Sequence, residues 1–598
     1  MDKETLSNYG WIVVLVLILA VMLALATPFG TFIAGAIKST TAGLFSVNQA
    51  ALGSAGINVD DLVFENCDHL ETELRNVTDT YTGDTCCKNC GKVMATGQTV
   101  RPKVPEGGTY YVGVTSTEMV NNWTEYTAKY GPGEEFPETI TNGDVYVYGD
   151  YEYRYNYYVS YISSSSNYTT WSINEEQNGW SARVRNREKT TYGEILTSIN
   201  GTPVTNLSNT FMFCSKMTAT PQIPNQVKVM YRTFCGCSAL TASTTIPSSV
   251  VDMRETFNSC SSLTASPVIP NGVTSLYRTF SGCTSLTNDG LPIIPSGVTN
   301  LEQTFYGCTN LTDVSSLVIP SGVTDLNGTF WSCTSLTNNG MPFIPSTVTQ
   351  LSQTFAGCTS LTDLSRYEIP DSVTKMRGTF SATGLIDSGM PKLPSKLTDL
   401  DSTFANCKKL VNLSTYNIPN TVSNMTSAFM GCTALTTAPD LSNCPTSLNM
   451  GLSFYGCTSL TDQGMPKLPS RVNLMGSTFA NCTSLVDLSN YTINTGHLSG
   501  TFQGCTNLVS APTINVSAGS WRCENLFSGC TSLTGTITFN GATQSPTYYN
   551  TCFTGVDFEA QNITLAGSVS PYLLDTLGNS CGGTNYCAEC NGCCKGGH

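Results

Sequence analysis

The sequence predicts a mostly β solenoid, preceded by an N-terminal membrane-type helix and a small β-rich domain. The first observation is a cysteine that recurs with spacings of 23 to 25 residues from Cys214 to Cys530. The second is a phenylalanine three residues before that cysteine in most turns, and the third is an Ile-Pro pair at a constant point further along. A period of this length indicates stacked repeats, in which each turn contacts only its neighbours.

The repeats also set the domain organisation of the 598-residue chain. We expect a solenoid of about 14 turns, because the recurring position occurs that often. The predicted segments are an N-terminal hydrophobic helix at 1–60, a Cys-rich segment at 61–100, a Tyr-rich β domain at 101–200, the solenoid at 201–555, and a C-terminal cap with a Cys-rich tail at 556–598.

The first segment holds an apolar stretch long enough to cross a bilayer. Residues 11–26 are apolar throughout, and the apolar character continues to Ile37, whereas a membrane span needs about 20 residues. Two carboxylates and one lysine precede it, which is atypical of the positively charged leader of a cleaved signal peptide. The sequence therefore predicts a retained membrane anchor within residues 11–37 and a cell-surface location for the rest of the chain.

The same segment resembles small pilins of the Flp type, in which a Glu-Tyr-Gly precedes a similar helix. Here Glu4 and Tyr9-Gly10 precede a helix that runs toward Val47, although Glu4 is not adjacent to Tyr9. The resemblance implies an alternative in which the helix assembles the chain into a homo-oligomer or filament.

Cysteines outside the repeat cluster near both ends of the chain. Four cysteines in 24 residues suit either two disulfides or one metal ion, but an exported chain meets an oxidising compartment, which favours disulfides. The tail holds an odd number, so one partner lies elsewhere, and Cys552 is the candidate because it falls outside the repeat register. The candidate disulfide cysteines are Cys67, Cys86, Cys87, Cys90, Cys552, Cys581, Cys587, Cys590, Cys593 and Cys594.

The Tyr-rich domain contains an alternating pattern on both sides of Gly149-Asp150. Alternation across a two-residue break with glycine first predicts a β-hairpin. Its aromatic face either binds a flat ligand such as a sugar ring or packs against a second β layer formed by residues 179–186, the more usual role of strand aromatics. The candidate contact face comprises Tyr146, Tyr148, Tyr151, Tyr153 and Tyr155.

Within each repeat we expect a short strand that ends near Ile-Pro, a bend, and an irregular or short helical return that carries the phenylalanine and the cysteine. Proline removes a backbone donor and disfavours helix in the residue before it. Equivalent residues of stacked turns lie about 4.8 Å apart, so the recurring cysteines form a buried column. Thr383 replaces cysteine once, as a packing position allows. The column comprises Cys214 and Cys237, Cys260, Cys283, Cys308, Cys333, Cys358, Cys407, Cys432, Cys457, Cys482, Cys505 and Cys530.

The phrase "TF-x-G-C-T-S-L-T…IP-S-x-V-T" resembles the leucine-rich repeats of BspA-like bacterial surface proteins, and residues 457–464 are also similar to the cysteine-containing leucine-rich repeat. The resemblance covers residues 201–555. It implies a solenoid with a parallel sheet on one face, used for adhesion or for host and matrix contact. The pattern changes at Ile493-Asn494 and Ile514-Asn515, as expected of a terminal cap.

Charge and composition narrow the function further. A net charge of −14 with only 12% charged residues offers no basic stripe for nucleic acid. The three histidines lie in unrelated segments, so no zinc helix or nucleophile triad can be recognised. We therefore expect no catalytic residue, cofactor or metal, and predict a membrane-anchored surface protein that binds a protein or glycan. The alternatives are a pilin-like filament subunit and an extracellular hydrolase with its site in residues 100–200.

Overall fold

The computed structural model describes nine segments of the chain, and the predicted anchor at 11–37 and the Cys-rich tail lie outside them. The chain divides into two compact units, Met1–Lys103 and Val104–His598. No helix within the described segments has the length and apolar character of a membrane span. The described residues are 72–75, 84–87, 93–95, 101–114, 129–161, 169–174, 176–516, 521–541 and 551–568.

The first unit contains a three-stranded antiparallel sheet in the order β1-β2-β3. Glu73 lies opposite Cys86 in this sheet, and the Cys86 side chain is buried. The strands are β1 (Thr72–Arg75), β2 (Asp84–Cys87) and β3 (Val93–Ala95).

The Tyr-rich region of the second unit forms a seven-stranded sheet in the order β11-β12-β10-β7-β6-β4-β5 and a two-stranded sheet of β8 and β9. The predicted hairpin is confirmed: β6 and β7 pair antiparallel on either side of Gly149-Asp150. The strands are β4 (Thr109–Tyr111), β5 (Lys129–Tyr130), β6 (Val145–Tyr148), β7 (Tyr151–Tyr155), β8 (Tyr157–Tyr161), β9 (Thr169–Ile173), β10 (Trp180–Val184), β11 (Ser198–Ile199) and β12 (Thr202–Asn206).

The expectation that residues 179–186 form a second layer is wrong. This segment contains β10, which pairs antiparallel with β7 in the same sheet and parallel with β12 on its other side. All five residues of β10 are buried, because both faces of the strand are covered. Trp180 and Ala182 belong to the main hydrophobic core, whereas Ser181 donates to the Tyr157 carbonyl of β8 and Arg183 lies over the Trp171 ring of β9. The sheet and the repeats share one hydrophobic core, which extends from Val104 to Leu565.

The solenoid of the repeats is confirmed, with parallel bridges between successive turns. The first joins Asn206, at the end of β12, to Val229, and Val229 in turn pairs with Asp252. The order of elements within a turn differs in part from the prediction: most bridges follow the Ile-Pro pair, although Ala219 pairs with Ala242 before it. Val250 donates its backbone N–H to the Pro247 carbonyl at 3.1 Å, so proline begins a tight turn, and Asp252 pairs with Val229 after that turn.

The return segments consist mainly of tight turns, with three short 3₁₀ helices at Asn338–Gly340, Asp387–Gly389 and Asp462–Gly464. The last turns form a regular parallel sheet in the order β13-β14-β15-β16. Its strands are β13 (Thr492–Asn494), β14 (Thr513–Asn515), β15 (Gly535–Asn540) and β16 (Ile563–Gly567).

The backbone conformation explains why glycine often precedes the recurring cysteine. Gly307 has φ +67°, a left-handed conformation that glycine adopts without steric cost. Asparagine and serine, which also tolerate this conformation, replace it in some turns: Asn406 has φ 59° and Ser332 has φ 60°.

Three of the side-chain columns in the solenoid interior make regular contacts between successive turns. The phenylalanines from Phe211 to Phe553 stack ring on ring, with centroids 5.3 to 6.1 Å apart. In a second column, a threonine or serine hydroxyl donates to the carbonyl of a Leu or Met in the preceding turn, as from Thr329 to Leu301 at 3.0 Å.

The third column contains the recurring cysteines, which are fully buried free thiols. From Cys237 onward, each thiol donates to the carbonyl of the phenylalanine in the preceding turn at 3.1 to 3.2 Å. Thr383 donates instead to the phenylalanine carbonyl of its own turn, that of Phe380 at 2.8 Å. The position therefore takes a small side chain that is also a hydrogen-bond donor.

Replacing Phe305 with alanine should destabilise three turns together. Phe305 is fully buried between Phe280 and Phe330, and emptying such a site costs about 3–5 kcal/mol. Hydrogen exchange should show loss of protection in the turns of Phe280 and Phe330 as well as in the mutated turn. Asn310→Ala, at an exposed position of the same turn, is the control. Protection lost only in the mutated turn would contradict the shared column.

Replacing Thr329 with valine should lower the free energy of unfolding by about 0.5–1.5 kcal/mol, because a buried hydroxyl that bonds to Leu301 and Leu326 is lost at nearly constant volume. Urea unfolding measures the change. Thr324→Val, at an exposed position of the same turn, should have a smaller effect, and equal effects would refute the role of the hydroxyl column.

Candidate binding surfaces

The tyrosines predicted as a contact face lie largely inside the protein. Tyr146, Tyr151 and Tyr153 are buried, while Tyr148 and Tyr155 are partly buried and pack against the same core. Burial raises the pKa of Tyr146, Tyr151 and Tyr153 far above the usual value for a tyrosine. The Tyr151 ring meets Phe211, the first ring of the phenylalanine column, at 6.0 Å. The tyrosines therefore cover the end of the solenoid core.

Two of the candidate disulfide cysteines have described side chains. Cys86 and Cys552 are both buried free thiols. Cys87 lies in β2, and the side chains of the other candidates are outside the described residues. Within the described part of the chain, no group of three or more His, Cys, Asp or Glu is arranged to hold a metal ion.

The outward face of the bridged segments carries a cluster that we call the Tyr–Arg patch: Tyr231, Arg232, Arg254, Tyr277 and Arg278. The Tyr231 ring lies under two guanidinium groups, with Arg232 Cζ at 5.0 Å and Arg254 Cζ at 5.4 Å from its centroid. Arg278 Cζ lies 5.2 Å from the Tyr277 centroid. Cation–π contacts of this kind hold both partners in place at a surface.

Carboxylates hold two of these arginines, one from the next turn and one from the same turn. Arg232 donates to both oxygens of the buried Glu255 at 2.9 Å, and Arg254 binds Asp252 through two hydrogen bonds. These bonds raise the pKa of both arginines against the opposing effect of burial. Residues 183–278 carry nine Lys and Arg against four Asp and Glu, so this part of an acidic chain is locally basic.

A second surface is an apolar stripe formed by Val268, Ile293, Val318 and Phe343. Each is the residue directly before Ile-Pro in four consecutive turns, and their exposed fractions are 82%, 91%, 75% and 77%. Their register explains the exposure, because the following isoleucine points inward and successive residues of an extended chain face opposite sides.

The turns on either side of the stripe carry polar residues in the same register. Thr245 precedes the stripe and Glu368 follows it, and both are exposed. Sequence reasoning missed this surface, although the signal was present: the residue before Ile-Pro is apolar in four consecutive turns and polar in the flanking ones.

The chain is similar to several solved structures, including two crystal structures of bacterial repeat proteins. A 1.19 Å crystal structure of a leucine-rich repeat protein from Bacteroides ovatus matches with 25% identity over 62% of this chain and 92% of that chain, with a TM-score of 0.43. A leucine rich cell surface protein from Faecalibacterium prausnitzii matches with 20% identity over 59% of this chain and 94% of that chain, with a TM-score of 0.33. No curated protein matches.

A family model described as "BspA type Leucine rich repeat region" matches in six overlapping copies, which together run from residue 205 to residue 571. These copies span more than half of the chain and coincide with the stacked turns. The protein therefore belongs to the BspA-type leucine-rich repeat family.

Proposed function

We propose that this protein is a cell-surface binding protein that recognises a protein partner through the apolar stripe. The observation that carries the proposal is the exposure of Val268, Ile293, Val318 and Phe343 on consecutive turns. Contiguous exposed apolar surface is typical of protein interaction sites. Burial against a partner is worth about 1.5–3 kcal/mol for each such side chain.

The neighbouring turns argue that the scaffold itself does not require these side chains. Thr245 and Glu368 occupy the same register without disrupting the stacking of Phe257 on Phe280 or of Phe355 on Phe380. A protein that served only as a spacer could therefore carry polar residues throughout. Three of the four side chains are aliphatic, and neither these nor Phe343 offer hydrogen-bonding groups to sugar hydroxyls, which favours a protein over a glycan.

The Tyr–Arg patch is a second contact region within this proposal. Tyrosine and arginine are enriched among the residues that dominate protein interfaces, and the aromatic and carboxylate contacts preorganise these side chains. The local excess of basic residues favours a partner with acidic groups near this patch.

The location is also part of the proposal. Members of this family are typically surface proteins, and residues 11–37 supply an apolar segment of membrane-spanning length. Attachment through that segment, and disulfides among the terminal cysteines, remain predictions. The filament alternative depends on the same N-terminal residues, whereas the hydrolase alternative gains no specific support from the described part of residues 100–200.

Binding to immobilised extracellular-matrix proteins and to a protein-free glycan array would test the proposal. The double variant Ile293→Ser/Phe343→Ser should bind its matrix protein at least about tenfold more weakly, since each lost apolar contact is worth more than about 1 kcal/mol. Val411→Ser, at an exposed apolar position outside the stripe, is the matched control. Binding to glycans alone, or equal binding by the double variant, would contradict the stripe as a protein site.

Asp325 gives a pH-dependent prediction on the same face as the patch. Burial raises the pKa of this carboxyl above its usual range, and the Glu302 carboxylate adds to the shift. Its buried Oδ1 has no hydrogen-bond partner within the described structure. Because the folded pKa is raised, the stabilising contribution is complete below the unfolded pKa and is lost as pH rises through the folded pKa.

Asp325→Asn should therefore raise the free energy of unfolding at pH 7, and the difference should vanish below about pH 4, the ordinary aspartate value. Asp313→Asn is a control of opposite sign, because hydrogen bonds from Ser315 lower the pKa of Asp313. Urea unfolding at several pH values measures both variants. A gain for Asp325→Asn that persists at pH 3 would show that charge is not its cause.

A further inference from the structure

Two cysteines near the end of the solenoid occupy registers that other turns fill with different residues. Cys523 stands in the column of Met475 and Leu498, and Cys552 stands in the register of the hydroxyl column, two turns after Thr501 and one turn after Leu526. Neither belongs to the recurring cysteine column, and both are fully buried. The repeat itself therefore does not call for cysteine at either position.

The register brings the two side chains together. In the hydroxyl column, Thr501 points at the preceding turn and donates to the Met475 carbonyl at 2.8 Å. Cys552 has the equivalent backbone pairing, since Phe527 donates its N–H to the Cys552 carbonyl at 2.9 Å, just as Phe479 does to Thr501. Its side chain therefore faces Cys523, and the two thiols are in hydrogen-bonding contact.

We propose that Cys523 and Cys552 form a disulfide bond that fastens the last turn of the solenoid to the turn before it. Two S–H bonds break and one S–S bond forms. The two electrons and two protons pass to a small-molecule disulfide, which is reduced to two thiols by exchange. This pairing differs from the predicted pairing of Cys552 with a tail cysteine.

The proposed bond lies where the solenoid is expected to be least stable, at its last turn. The last turns lack the Ile-Pro pair. A terminal turn packs against a neighbour on one side only, whereas an internal turn has neighbours on both sides, so the terminal turn opens more readily. A bond between residues 523 and 552 closes the chain segment that separates the two turns. Cross-links of this kind stabilise mainly by restricting the unfolded chain.

The nearby Cys530 is engaged elsewhere. It also lies close to Cys552, but its thiol donates to the Phe502 carbonyl at 3.1 Å in the recurring column. Burial raises the pKa of the Cys552 thiol well above its usual value, so little thiolate forms in the folded state. We therefore expect the bond to form during folding, before the pair is enclosed.

The test is to refold the reduced, denatured full-length chain in a buffer of oxidised and reduced glutathione. Free thiols are then blocked with N-ethylmaleimide under denaturing conditions without reductant, and mass spectrometry identifies the linked peptides. The expected product is a peptide pair joined through Cys523 and Cys552, lost after reduction, with Cys505 and Cys530 recovered as alkylated thiols. Alkylation of both Cys523 and Cys552, or linkage of Cys552 to Cys530 or to the tail, would overturn the proposal.

The repeat provides variants that remove the bond while keeping the packing. Cys523→Met and Cys552→Thr each restore the residue type that other turns carry in that register. In the wild-type protein, we expect a reductant to increase proteolysis of residues 523–568. Each variant should fold with its other turns intact, lose the linked peptide, and lose this effect of the reductant. An equal reductant effect in these variants would show that another bond fastens the last turn.

Discussion

Hydrogen bonds between neighbouring turns are the interaction on which the rest of the solenoid depends. Each turn supplies buried thiol and hydroxyl donors to carbonyl groups of the turn before it, and the stacked phenylalanines fill the space between. These carbonyl groups also accept a backbone N–H within their own turn, as Phe305 does from Cys308, so the side chain supplies a second hydrogen bond. A buried donor without an acceptor would be costly, and each thiol or hydroxyl finds one in the turn before it. Thr383 is the exception in the cysteine column, since its hydroxyl donates to Phe380 in its own turn.

The two ends of the stack need a different arrangement, because a terminal turn has no neighbour on one side to cover its core residues. At the start, the Tyr-rich sheet covers the column: Tyr151 packs on Phe211, and the Tyr192 hydroxyl donates to the Cys214 thiol at 3.1 Å. At the other end, tight turns give way to the continuous strands β13 to β16. The tyrosines are thus explained by capping, and the search for a ligand surface moves to the repeats themselves.

Binding surfaces arise where the scaffold leaves side chains free to vary. Inward positions are fixed by stacking, whereas the position before Ile-Pro accepts threonine, valine, isoleucine, phenylalanine or glutamate. Folding of the repeat therefore does not explain why four consecutive turns carry an apolar residue at this position. Part of the Tyr–Arg patch depends on the repeat in the same way, since Arg254 contacts the Tyr231 ring and Arg232 binds Glu255 across adjacent turns.

The sequence alone determined the period, the solenoid and the inward columns. A position that has the same surroundings in every turn carries the same residue type in every turn, so the repeat is visible in the sequence. It also located the hairpin, whose alternation and turn residues are local signals. It did not reveal that β10 lies beside β7, that the tyrosines cap the core, or that most of the bridges between turns follow Ile-Pro. Nor did it bring Cys523 to Cys552. These features depend on which segments become neighbours across the sheet or between turns, and contacts between residues distant in the chain are decided only by the tertiary structure.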